Sequence, residues 1–187
     1  MKKSGLICSV VAASLFSVSS MALAQQEDAP AQPTAEQIAQ EVQGNTRFIA
    51  QNALSKAKSL LEYYGDFAPF GLALFPNGDI KYVWAVRPGE EVENLNAPLV
   101  LNTVRTALGT QAQAGRILGS AVVYKYQATG DAEEPQINIE LEYLGGFSQV
   151  LATRYTETDE GYQYSEGVFG SFNPIVFAEN NAGVEAN

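Results

Sequence analysis

The chain has no histidine in its 187 residues. That absence excludes a histidine base beside a serine or cysteine nucleophile. It excludes the usual imidazole sites for zinc, copper and non-haem iron. It also removes the side chain whose ordinary pKa lies nearest neutrality. Cysteine is almost as scarce, and the one present, Cys8, sits in the N-terminal apolar stretch. One cysteine builds no disulfide framework, and it offers no thiolate chemistry once its segment is removed. Positive charge is also short, with 11 Lys and Arg against 21 Asp and Glu. The formal net charge of −10 repels nucleic acid and anionic lipid, and the partner it best suits is a basic protein. No spacing matches a cofactor or metal motif, so no cofactor, metal ligand or catalytic residue is assigned.

What is present begins with an export signal. Lys2 and Lys3 precede an apolar and small-residue core over residues 6–18, and Ala22-Leu23-Ala24 fits the small-x-small cleavage rule. The core is shorter and richer in serine than the roughly 20 residues of a membrane span. Residues 1–24 therefore read as a signal peptide cleaved after Ala24, which places the protein in the periplasm or outside the cell. Cys8 lies too early to be a lipidated residue at the cleavage point, so no stable membrane anchor is expected after cleavage. Residues 25–33 are Gln, Ala, Pro and acid and read as a disordered spacer. Residues 34–177 form a single α+β domain, large enough to bury a core, and residues 178–187 are a flexible tail.

Within the domain, Thr34-Ala35-Glu36-Gln37 has the form of a helix capping box. Ile38, Val42, Ile49, Ala53, Ala57, Leu60, Leu61 and Tyr64 then recur at helical spacing. Gly44-Asn45 interrupts the stripe and marks a place for a break or kink. Gly65 supplies the left-handed cap. Residues 67–75 predict a strand, Phe75-Pro76-Asn77-Gly78 a tight turn, and Ile80, Tyr82, Trp84 and Val86 the return strand. Asn96-Ala97-Pro98 opens a second helix whose buried stripe is Leu101, Val104, Leu108 and Ala112, ended by Gly115.

Residues 117–127 carry apolar side chains on both faces, the mark of a covered strand. In residues 137–143, Ile137, Ile139, Leu141 and Tyr143 alternate inward, with Asn138, Glu140 and Glu142 outward. Leu144-Gly145-Gly146 turns the chain into residues 147–155, and residues 162–169 predict a last short strand. Residues 174–177 dock as an apolar clip. The expected architecture is a single antiparallel sheet of about five strands with two helices packed on one face, in the order α-β-β-α-β-β-β.

The run Tyr64-Gly65-Asp66-Phe67-Ala68-Pro69-Phe70-Gly71 precedes a glycine-containing hairpin. Later come the strands Gly119-Ser120-Ala121-Val122-Val123 and Ile137-Asn138-Ile139-Glu140-Leu141-Glu142-Tyr143, and a strand ending at Tyr155. Together, over residues 48–177, these resemble an uncharacterised family of small bacterial α+β proteins with a Gly-x-Phe-x-Pro-Phe-Gly motif leading into the first strand. The resemblance implies no catalytic residue. The crossover helix and later meander predict the first hairpin beside the last strands, a layout similar to roadblock and profilin-like domains.

Three features offer chemistry. Glu140 and Glu142 share one strand face about 7 Å apart, a separation compatible with acid–base work on a glycosidic bond. On a solvated face they would instead pair with Arg154 or Lys125 across strands. Three acidic loops (Glu90, Glu91, Glu93; Asp131, Glu133, Glu134; Glu157, Asp159, Glu160) hold oxygen ligands but lack the spacing of a calcium loop. Aromatic residues crowd the first hairpin and the sheet, and alternation puts Tyr124 and Tyr126 on one face. The expected function is an exported, non-enzymatic binding or accessory protein of the bacterial envelope. Its candidate contact residues are Tyr124, Tyr126, Glu140, Glu142 and Arg154. The alternatives are an inhibitor or immunity-type protein with a basic partner, and a carboxylate-based hydrolase.

Overall fold

A computed structural model describes residues 32–90, 94–127 and 135–178. The expected signal peptide, all but the end of the expected spacer, and all but the first residue of the expected tail lie outside the described residues, as do Glu91, Glu93, Asp131, Glu133 and Glu134. Helix α1 spans Ala35–Tyr64. Its capping box forms as the sequence predicts: the Thr34 hydroxyl accepts the Gln37 N–H at 3.2 Å, and the Gln37 side chain accepts the Thr34 N–H at 2.8 Å. At the far end Gly65 takes φ 72° and donates its N–H to the Leu61 carbonyl.

The expected break at Gly44-Asn45 does not occur, and the helix runs straight through. A mid-helix glycine costs about 1 kcal/mol relative to alanine, which a helix anchored by packing absorbs. Asn45 is itself an anchor, donating from Nδ2 to the Tyr143 hydroxyl at 2.8 Å. Burial begins one residue later, with Thr46, Ile49, Ala50, Ala53, Ala57, Leu60 and Leu61.

Strands β1 (Phe70–Leu74) and β2 (Ile80–Trp84) form the hairpin. Gly78 takes φ 84° in its turn, and the Phe75 N–H donates to the Asp79 carbonyl at 2.9 Å. Helix α2 covers Ala97–Gln113, with the Asn96 side chain capping the Leu99 N–H and Val100, Val104, Leu108 and Ala112 buried. Then come β3 (Gly119–Tyr126), β4 (Gln136–Tyr143), β5 (Phe147–Thr158), β6 (Gly161–Tyr164) and β7 (Val168–Ser171). The class is α+β, with one antiparallel sheet in the order β2-β1-β3-β4-β5-β6 and β7 also paired to β5.

Four expectations need correction. The sheet has seven strands rather than about five. The predicted last strand divides in two: β6 pairs with the far end of β5, from Tyr155 onward, and β7 pairs with residues nearer its start. The first hairpin lies beside β3, the first strand after α2, and not beside the last strands.

The fourth correction is that the helices pack on opposite faces of the sheet. In one cross-strand row, Leu72, Ala121 and Leu141 pack into the core that includes Ile49, Ala53 and Leu61 of α1. In the next row, Gly71, Val122 and Glu140 face the other way. Val122 there joins Val104 and Leu108 of α2 with Val176 and Phe177. Gly71 lets α2 approach: a Cβ on it would lie 2.9 Å from Leu108 Cδ1 and from Val104 Cγ1. Each fully buried aliphatic residue, such as Ile49 or Ile139, contributes about 1.5–3 kcal/mol.

Two glycines should respond oppositely to alanine. Gly44 is exposed, and a Cβ there meets nothing within 4 Å, so Gly44→Ala should stabilise by about 0.5–1 kcal/mol. A Cβ on Gly119 would lie 2.7 Å from both Ile49 Cδ1 and Tyr143 Cδ2. Gly119→Ala should therefore destabilise by about 1–3 kcal/mol through overpacking. Urea melts of the two variants check both signs.

Candidate functional site

The strand face carrying Glu140 and Glu142 is not solvated. The two carboxylates are 2% and 1% exposed, covered by α2 and by residues 174–177. Glu140 accepts from the Arg105 guanidinium in a two-pronged pair, Nε to Oε2 at 3.0 Å and Nη2 to Oε1. Glu142 accepts three backbone N–H groups, from Ile175 and Val176 at Oε1 (2.9 and 3.0 Å) and from Phe177 at Oε2 (2.8 Å). A buried charge is tolerable only when paired and hydrogen-bonded, and both conditions hold here. The expected cross-strand partners are displaced accordingly. Arg154 is exposed, and Lys125 pairs instead with Asp66 at the end of α1.

Tyr124 joins this network on the same face. Its phenol pKa is raised, first by burial and then by the neighbouring Glu140 carboxylate. Burial alone would lower the pKa of Arg105, but the hydrogen bond and charge of Glu140 outweigh it and the net shift is upward. Of the five candidate contact residues, Tyr126 and Arg154 remain exposed, aligned with Gln136 in one cross-strand row. Glu140 and Glu142 have become internal fasteners.

The aromatic residues separate into two clusters. Phe70, Tyr82 and Trp84 pack together on the α1 face, with Lys56 Nζ 5.9 Å from the centres of the Tyr82 and Trp84 rings. Tyr155, Tyr162 and Tyr164 gather where β5 meets β6, with Lys58 Nζ 4.2 Å from the Tyr164 ring centre. The Tyr164 phenol is pushed up to about 12, by burial first and then by Glu62. Both clusters are closed around α1 by its own lysines, which leaves them as packing edges of the core.

The open concavity lies elsewhere, between the N-terminal half of α1 and the β5–β7 edge. Helix α1 seats on β1, β3, β4 and β6. Beside that seat a groove of about 1050 Å³ runs along the helix from Glu36 to Leu54. Val42, Thr46, Ala50 and Leu54 form its helical wall, Leu141, Phe147 and Leu151 its floor, and Gly167 and Phe169 its outer lip. The rim is mainly amide, from Gln40, Gln43, Gln51 and Gln149, with one charge of each sign from Glu36 and Arg47. Phe169 is 55% exposed although it points to this face. A second cleft, of about 280 Å³, lies between Tyr64, Trp84 and residues 86–90 and is much smaller.

The groove was not read from sequence, although part of its signal was there. Val42 stood in the predicted α1 stripe, whereas Leu54 did not; both are only half-buried against the core. Arg105 was missed too. It lies one residue from Val104 and four from Leu101, so a cation on an apolar helix side demanded a buried carboxylate. Among the described residues no group of acidic side chains is placed to hold a metal ion, and no helix is long and apolar enough to cross a membrane. Comparison with protein-family models, curated proteins and solved structures finds no match.

Breaking the buried pair should be costly, whereas removing it whole should not. Arg105→Met strands Glu140 and should cost about 3 kcal/mol, the low end for such pairs because Arg105 keeps 22% of its side chain exposed. Adding Glu140→Leu should restore most of that loss, as read by a double-mutant cycle in urea. Alkaline pH supplies a second test. The folded state raises the phenol pKa values of Tyr124, Tyr143, Tyr155 and Tyr164 above their unfolded value near 10. Their contribution to stability is whole below that pH and is lost as pH rises through the folded values. Thermal melts should hold steady from pH 7 to about 9 and then fall, and tyrosinate absorbance should lag until unfolding.

Proposed function

We propose that this is an exported, non-enzymatic binding protein of the bacterial envelope that holds an elongated apolar ligand in the groove beside α1. The observation that carries this reading is the groove itself: an apolar wall and floor, a mainly amide rim, and about 1050 Å³ of space. Ligand sites are typically concave, mostly apolar and of about 300–1,000 Å³, and the groove lies just above that range. Half-buried Val42, Leu54 and Phe147 and exposed Phe169 are apolar surface that an occupant would remove from water. The N-terminal signal pattern supports the envelope location, and the net charge of −10 keeps the chain soluble and favours basic partners.

The hydrolase alternative draws no support from Glu140 and Glu142. An acid–base pair must reach substrate, and these carboxylates are buried and spend their acceptor capacity on Arg105 and the 174–177 backbone. The inhibitor alternative rests on overall acidity, which names no particular surface.

A neutral, environment-sensitive dye tests the groove without a contribution from charge. Nile red should bind with enhanced fluorescence and be displaced by a saturated fatty acid. Gln43→Trp, on the exposed rim, should keep the melting temperature and weaken dye binding by about tenfold by filling the groove. Unchanged dye affinity in this variant, or no dye binding to the parent chain, would overturn the reading.

A further inference from the structure

Resting on the groove reading, we infer that its occupant is an extended, apolar–cationic polypeptide segment that adds as a strand to the free edge of β7. Among the described residues, strand β7 pairs on one side only, with β5 through Leu151–Phe169 and Ala152–Val168 and their neighbours. All four of its residues are exposed. An edge strand presents a row of unpaired N–H and C=O groups, and proteins usually block it with lysine, proline or a bulge. The opposite edge of this sheet follows that rule, since β2 carries Lys81. The β7 sequence, Val-Phe-Gly-Ser, has no charge and no proline. The other terminal strand, β6, is likewise uncharged and free of proline, but of the two it is β7 that borders the apolar groove.

The two features fit one ligand. A strand laid along β7 sends alternate side chains to opposite faces. One set would enter the groove over Phe169 and Leu151 toward Leu54, where an apolar side chain gains most. The other set would emerge beside Val168 and Gly170 on the open face. Main-chain pairing supplies affinity and the alternate pockets supply selectivity, the logic of strand addition between a helix and a sheet edge. Along α1 the groove extends from Glu36 to Leu54, about 27 Å at helical rise, which matches about eight extended residues.

Charge selects the other half of the ligand. The groove rim itself carries one charge of each sign, Glu36 and Arg47, but the chain has a net charge of −10 and exposed Glu166 lies just before β7. A second copy of this chain would bring two such acidic surfaces together, so a basic segment fits better than self-pairing.

The test uses the chain without its first 24 residues, with a capped peptide alternating lysine and valine over about eight residues as the probe. The expected result is saturable binding, with slowed hydrogen exchange at alternate amides of β7. Methylating alternate backbone nitrogens of the peptide should weaken binding at least tenfold while leaving its side chains intact. Nile red or dodecanoate binding in the groove, with no peptide binding, would overturn strand addition and leave the groove reading standing. Failure of peptide and dye alike would overturn both. Peptide binding indifferent to N-methylation, or a sedimenting dimer that buries the β7 amides, would also overturn strand addition.

Discussion

Two carboxylates on one strand hold the polar face of this sheet shut. Glu140 binds the Arg105 guanidinium and so pins α2, while Glu142 gathers three consecutive backbone N–H groups and so pins residues 174–177. Without partners, either charge would cost several kcal/mol to bury, so each is a strong constraint on where its partner must lie. The C-terminal clip then adds its own apolar mass, Val176 and Phe177, against Val104, Leu108 and Ile117. Polar fastening and apolar packing thus act on the same elements, and the sheet becomes a layer covered on both sides.

Covering both faces of the central strands leaves the sheet ends open among the described residues, and they are not alike. At the β2 end, aromatic rings stack under Lys56 and the edge carries Lys81. At the β5–β7 end, α1 lifts away and leaves an apolar groove beside an uncharged edge strand. The difference traces to the length of β5. Twelve residues are more than one neighbouring strand of four can pair, so β6 and β7 share it and β7 ends as a short lip. The concavity and the free edge therefore have a common origin.

Much of the local structure is legible in the residues. The capping box at Thr34, the Pro76-Asn77-Gly78 turn, the Asn96 cap and the buried stripe of α2 all form as their chemistry dictates. Each depends on contacts within a few positions of the chain. The polar half of β4 misled for a physical reason. Alternation of apolar and polar residues marks a half-solvated strand only if the polar groups have no partner in the protein. Here Arg105 lies 35 positions away and the Phe177 N–H another 35 in the other direction. The two-sided apolar character of β3, with Val122 and Val123 on opposite faces, was the contrary sign, and it was the more reliable one. Apolar side chains cannot recruit solvent, so they require cover on both sides.

Of the candidate surface, the placing of Tyr124 with Tyr126 and of Glu140 with Glu142 on one strand face was legible from alternation, but not which of them are covered. The groove was not, because it is a gap between an element and its neighbours, and no periodicity encodes how far a helix stands from a sheet edge. The residues by themselves determined the two helices, most of the strands and turns, the acidic surface and the lack of imidazole and disulfide chemistry, since these follow from local sterics and composition. Only the tertiary structure decided that the helices take opposite faces, that Glu140 and Glu142 are buried and that β7 pairs with β5 alone among the described residues. Those outcomes depend on which distant groups meet, and the balance between burying a charge and pairing it is struck only when they do.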